Sequence, residues 1–334
     1  MNGTPGRIEI FAPFGAALEL MKKILFQPFD IKKWFVIGFA AFLSHLAGGG
    51  GNFGNFNRNF PSNWKSTMHS TTSDMSDSAH HFPLWVIPVG IIAGLIILAI
   101  VAVCLWVGSR GKFIFTDCIV RNRAAIAEPW DDFRREGNSL FVFSIVVALL
   151  FLAVIVVFGS IIFLPMILHG SDNFTFSVSF IIGGVSFAVL LLIMAFAWAL
   201  ISQFMVPIMY RRRCTASEAF RATTSLITAQ LGLFILYFLF LIVLGLGTAM
   251  IACVATCVTC CITAIPYIGT VILLPLYVTL AAYPLLFVRQ FGSDYDAWAT
   301  VTPPVTSEPP IQPPPTMPPE PPPTTPPAPP ALPA

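Results

Sequence analysis

Cys253, Cys257 and Cys260 are separated by three and then two residues, a spacing that lets three thiolates hold an iron–sulfur cluster. The surroundings argue for a different use. The stretch is apolar throughout, and Gly245, Ala249, Cys253, Cys257 and Cys261 recur every four residues. On a helix that period lines them up as a ridge of small side chains, along which a second membrane helix can approach closely. Gly90 and Gly94 form a shorter pair of the same kind. The chain has seven cysteines, an odd number, and most lie in or beside apolar segments, so no disulfide framework is expected.

Asp74, Asp77, His80 and His81 have side chains that bind divalent metals, and on a helix they would share a face. They stand, however, in a Ser/Thr-rich stretch that reads as a flexible polar loop. No metal and no cofactor is expected.

A third pattern occurs twice. Arg121-Asn122-Arg123 is followed after four residues by Glu128-Pro129-Trp130, and Arg211-Arg212-Arg213 after four residues by Glu218-Ala219-Phe220. The shared form is R-x-R-x4-E-x-aromatic, displaced by 90 positions. Arginine at lipid headgroups and an aromatic ring in the interface suit an amphipathic elbow between two spans. Arg121, Arg123, Glu128 and Trp130 would then be repeated by Arg211, Arg213, Glu218 and Phe220 in a parallel hairpin repeat. Asp117, Glu128, Asp131, Asp132 and Glu136 alternate with arginines and read as ion-pair partners. No nucleophile–base pair and no phosphate loop is visible, so an enzyme is not expected.

The elements that must carry these residues are membrane helices. Of 334 residues, 56% are hydrophobic and only 10% charged, against about 25% charged in a soluble domain. From Leu231 to Val288 there is no Asp, Glu, Lys or Arg, and a helix needs about 20 apolar residues to cross a bilayer. The fold class expected is all-α: a polytopic transmembrane bundle of about six spans, with an N-terminal interfacial helix and amphipathic cytoplasmic elbows. The spans are placed at Trp34–Leu46, Leu84–Val107, Leu140–Ile167, Phe176–Tyr210, Leu231–Cys261 and from Pro266 to Arg289. None carries Asp, Glu, Lys or Arg at membrane depth, which argues against an ion-driven carrier.

Three regions follow. Residues 1–30 form an amphipathic segment in which Phe11, Phe14, Leu18, Met21 and Leu25 line one face, suited to the membrane interface. Residues 31–296 are the membrane domain, interrupted by a polar outer loop at 48–82. Residues 297–334 are a Pro-rich tail, expected to be extended and disordered; PxxP spacings such as Pro310–Pro313 arise by chance in so Pro-rich a run, so a plain solvated tail is expected, with docking of a protein partner as the alternative.

Sixteen of the eighteen lysines and arginines fall on one side of this topology, with Arg58 and Lys65 on the other. The positive-inside rule then places both termini in the cytoplasm. A net charge of +2 with the basic residues at span ends is not a nucleic-acid footprint. The partner expected is the lipid bilayer.

Phe26-Gln27-Pro28-Phe29-Asp30, Val206-Pro207-Ile208-Met209-Tyr210 with Ala219-Phe220 after it, and Cys260-Cys261 leading to Pro266-Tyr267 resemble an uncharacterised family of bacterial multi-span membrane proteins. The second element is also similar to the membrane domain attached to some bacterial glycerophosphodiester phosphodiesterases. The resemblance covers roughly residues 10–296 and implies a bacterial inner-membrane protein; no catalytic phosphodiesterase domain accompanies it. The function expected is a non-enzymatic membrane scaffold or accessory component. A transport or lipid-handling protein without an intramembrane charged relay is the alternative.

Overall fold

A computed structural model of the chain describes residues 9–46, 86–169, 174–259 and 265–300. Among the described residues there are ten α-helices, two short 3₁₀ turns and no strand. The helices are α1 (Phe11–Leu25), α2 (Ile31–Leu46), α3 (Val86–Val120), α4 (Ala127–Asp132), α5 (Arg134–His169), α6 (Phe174–Arg212), α7 (Ala216–Ala229), α8 (Leu231–Val258), α9 (Pro266–Ile272) and α10 (Leu274–Arg289). The metal candidates Asp74, Asp77, His80 and His81, the polar loop and the Pro-rich tail lie outside the described residues.

The protein is all-helical and membrane-embedded. Four helices, α3, α5, α6 and α8, are long and apolar enough to cross a bilayer. The backbone of such a segment must satisfy its own hydrogen bonds, and a helix does so within a single stretch of chain. The expected first and sixth spans differ. Each of α2 and α10 has 16 residues, about 24 Å of helix at 1.5 Å per residue, short of the roughly 30 Å of hydrocarbon. The sixth is also broken: α9 stops at Ile272, and Pro275 sits in the first turn of α10, where its missing N–H costs nothing.

The long helices have two unlike halves. Val89, Ile92, Leu95 and Leu98 of α3, and Val185, Leu192 and Ile193 of α6, are exposed. Phe113, Ile114, Cys118 and Ile119 of α3, and Phe204, Ile208 and Met209 of α6, are fully buried. The exposed apolar halves suit lipid, and the core forms where α3 and α6 end.

Short helices complete that core. The α2 helix runs against the last turns of α3 so closely that a Cβ placed on Gly111 would stand 2.6 Å from the Leu43 carbonyl carbon. Trp34 Nε1 donates to the Val271 carbonyl at 2.9 Å, fixing α9 to α2. The α1 helix packs on α10, burying Pro13, Ala17, Ile24 and Leu25, and it belongs to the same compact unit as the spans. The Glu9 N–H donates to Gln290 Oε1 at 2.8 Å, and Gln290 Nε2 donates back to the Glu9 carbonyl at 2.9 Å.

Left-handed residues stop two of the spans. Asn122 (φ 51°) ends α3 and Arg213 (φ 51°) ends α6. Asn tolerates this conformation; Arg pays steric strain of about 1 kcal/mol. Two contacts hold it: Arg213 NH1 donates to the Asp132 carbonyl at 2.8 Å, and the guanidinium stands 3.7 Å over the Phe133 ring.

Candidate functional site

Five helices, α2, α3, α6, α8 and α10, surround a cavity of about 340 Å³. Its polar side is Ser44 and His45 of α2, Lys112 and Thr116 of α3, and Ser202 and Gln203 of α6. Its apolar side is Phe238, Leu241 and Ile242 of α8 with Leu280 and Leu285 of α10. Ile242 is also 47% exposed, so the apolar wall reaches the lipid-facing surface.

From the sequence, Lys112 and Arg110 are expected in a cytoplasmic loop beyond Val107, with no Asp, Glu, Lys or Arg at membrane depth. Instead α3 continues to Val120 as one helix, burying Arg110 and Asp117 and placing Lys112 on the cavity wall. Lys112 is half-buried and lines the cavity. Among the described residues, no carboxylate pairs with it.

Most of the other polar groups are already engaged; the Tyr277 hydroxyl has no hydrogen-bond partner among the described residues. Ser44, Thr116, Ser202 and Thr248 each donate back to a carbonyl of their own helix, at 2.7, 2.8, 3.2 and 2.8 Å. His45 Nδ1 lies 2.6 Å from the Ala41 carbonyl, and its ring meets Tyr277 edge-on at 4.5 Å. A carbonyl only accepts, so Nδ1 carries the proton and Nε2 is the atom left for another partner. Gln203 Oε1 accepts from the Tyr237 hydroxyl at 3.1 Å, which directs its amide N–H groups elsewhere. Pro207 and Pro284 both line the cavity inside helices, and each deprives a lining residue, Gln203 and Leu280, of its usual helical donor.

Beside the cavity lies a charged knot. The Asp117 carboxylate is 0% exposed. It accepts from Arg121 Nε at 3.0 Å, Arg123 Nε at 3.1 Å and the Tyr210 hydroxyl at 2.9 Å. Glu128 Oε2 pairs with Arg123 NH1 at 2.7 Å. Burial disfavours the charged Arg123 guanidinium, but the hydrogen bonds and charges of Glu128 and Asp117 outweigh it and hold Arg123 above its ordinary pKa. Arg123 is therefore held as a cation between Asp117 and Glu128.

The two R-x-R-x4-E-x-aromatic segments use their residues differently. Arg121, Arg123 and Glu128 belong to the Asp117 knot. Arg211 Nε donates to the Ser293 carbonyl at 3.3 Å, and Arg213 lies 3.7 Å from Glu136. Glu218 accepts the Thr215 N–H at 3.0 Å and caps α7. Trp130 meets Trp106 edge-on at 5.9 Å, and Phe220 tilts against Phe143 at 5.4 Å.

Along the small-residue ridge, Cys253 and Cys257 are exposed, and a Cβ on Gly245 would meet nothing within 4 Å. Gly245 lines the cavity instead, and Ala249 is half-buried. Cys261 lies outside the described residues. Among the described residues no group of His, Cys, Asp or Glu is arranged to hold a metal. Sequence reasoning passed over Lys112, His45 and Gln203 as a group. The one available signal was the spacing of Lys112 and Thr116, which puts both on a single face if α3 is continued past Val107.

Similarity to known proteins covers the same stretch as the helical unit. Residues 9–293 match a family of unknown function. No curated protein and no solved structure matches the chain.

Proposed function

Since the chain belongs to the family of unknown function DUF7544, we propose its role from its own geometry: a non-enzymatic lipid-handling protein that takes a single-chain amphiphile of the bilayer into the cavity between α2, α3, α6, α8 and α10. The observation that carries this reading is the uneven lining of the cavity: most of its polar side chains come from α2, α3 and α6, whereas α8 and α10 line it mainly with apolar ones. A ligand with a polar head and a hydrocarbon tail matches that lining. Ligand pockets are typically about 300–1,000 Å³, and the volume here lies at the small end, suited to a head and part of one chain.

The reading extends to a bacterial inner membrane with α3 and α6 ending on the cytoplasmic side. Its support is the gathering of basic residues where α3 and α6 end, in Arg121, Arg123 and Arg211 to Arg213.

The test uses Gly245, which has open space beside it. Gly245→Leu adds bulk to the cavity wall at a position where a Cβ meets nothing within 4 Å, and improves helix propensity. Wild-type protein purified in mild detergent is expected to yield a single-chain amphiphile on organic extraction, in amounts comparable to the protein. The G245L protein, equally folded by circular dichroism, is expected to lose it. Wild-type protein that neither retains nor rebinds any such molecule would overturn the reading.

A further inference from the structure

We infer that the ligand's head group is a monoanion, a carboxylate or a phosphodiester, held by Lys112 with the Gln203 amide beside it. The inference rests on the lipid-handling reading and adds the charge and chemistry of what is bound.

The argument is a count of donors. Ser44, Thr116, Ser202 and Thr248 spend their hydroxyl protons on carbonyls of their own helices. His45 spends its Nδ1 proton on Ala41. What remains on the cavity wall is the Lys112 ammonium, with three N–H bonds, the Gln203 amide, whose oxygen is occupied by Tyr237, and the Tyr277 hydroxyl. All three present donors, and one is charged.

A half-buried cation on the wall of a largely apolar cavity, with no counter-ion beside it, is unfavourable. The nearest carboxylate knot does not relieve it: Asp117 is saturated by Arg121, Arg123 and Tyr210. An entering anion supplies the missing charge and accepts the free N–H bonds. One lysine balances one negative charge, which favours a monoanion over a phosphomonoester carrying two. The tail then lies along Phe238, Leu241 and Leu280, and leaves past Ile242 toward lipid.

Equilibrium binding to the full chain in detergent separates the possibilities. The probes are radiolabelled palmitate, the neutral alcohol hexadecanol with the same chain length, and lysophosphatidylglycerol as a monoanionic phosphodiester. Wild-type protein is expected to bind at least one anion about tenfold or more tighter than the alcohol, the range set by one charge-assisted hydrogen bond. Which anion wins names the source. Lys112→Met is expected to erase that preference while still binding the alcohol, and Lys112→Arg to retain much of it. Should K112M fail to fold, Lys112→Gln gives the same comparison with a polar side chain. Equal binding of alcohol and anions by wild-type protein, with G245L abolishing both, would overturn the anionic head and leave the lipid-handling reading standing. Loss of all binding in wild-type protein would remove both.

Discussion

The Tyr210 hydroxyl donates to Asp117 Oδ1 at 2.9 Å, joining the last turn of α6 to the last turn of α3 across 93 positions of sequence. Behind that bond, the buried carboxylate also holds Arg121 and Arg123, and through Arg123 it reaches Glu128 of α4. One residue therefore braces three helices at the end of the bundle where the core sits.

Asp117→Asn should weaken that brace sharply. Removing one partner from a buried ion pair costs about 3–5 kcal/mol. The two guanidinium groups are 30% and 29% exposed, so solvent screening should bring the loss to the low end, about 3 kcal/mol or less. Tyr210→Phe removes one hydrogen bond to a charged acceptor and should cost about 1.5–3 kcal/mol. Melting in detergent measures both. Equal melting temperatures for D117N and wild type would show that the knot is dispensable.

Two glycines should separate close approach from mere helix position. At Gly111 a Cβ would stand 2.6 Å from backbone of Leu43, and backbone cannot move aside as a side chain can. Gly111→Ala is expected to push α2 from α3 and destabilise by about 1–3 kcal/mol. At Gly94 nothing lies within 4 Å, and Gly94→Ala should be neutral or gain up to about 1 kcal/mol from helix propensity. Side-by-side melting curves check the contrast; matched losses at both sites would refute it.

Trp34 offers a third test. Its Nε1–H is donated to the Val271 carbonyl, and its ring meets Phe26 edge-on at 5.4 Å. Trp34→Phe keeps an aromatic ring but leaves that carbonyl without its donor, a loss of about 1–3 kcal/mol. Hydrogen exchange should show faster opening of α9 than of α10, because α9 is the element this bond secures. Unchanged exchange in α9 would mean the bond contributes nothing.

Cys214, in the linker between α6 and α7, gives a pH prediction. Burial, and then the negative charge of Glu218, raise its thiol above the ordinary value of 9.0. A raised pKa lowers the thiolate fraction at any pH below it, and only thiolate attacks an alkylating reagent. Labelling of Cys214 in folded protein at pH 8 should therefore be slower than that of a free thiol, and should keep rising past pH 9. Glu218→Gln removes one contribution to the shift and should accelerate labelling at pH 8. A rate at pH 8 equal to that of unfolded protein would contradict the assignment.

The long helices were legible before any fold was known. Their apolar runs exceed the thickness of a bilayer, and composition alone reports that. The ends were less legible. Leu84–Val107 was too short for α3 because Arg110, Lys112 and Asp117 interrupt the hydropathy, although the helix passes through them. Charge normally marks where a membrane span stops, and it misleads wherever other helices wrap that segment. The short helices were less legible: α10 is apolar largely where protein covers it, while α2 leaves Phe35 and Phe39 exposed, so composition alone does not decide whether either reaches across lipid.

The sequence by itself determined that this protein is helical, that it is embedded in a membrane, and that its arginines collect at helix ends. Those properties follow from the summed hydropathy and charge of contiguous residues. Only the tertiary structure decided that Lys112 meets His45, Gln203 and Gly245 around one cavity, and that Asp117 is closed by Tyr210. Which faces of separate helices meet depends on the fit between their side chains. In α8 that fit places Gly245 at a ligand-sized space, whereas its four-residue period suggested only a ridge for another helix.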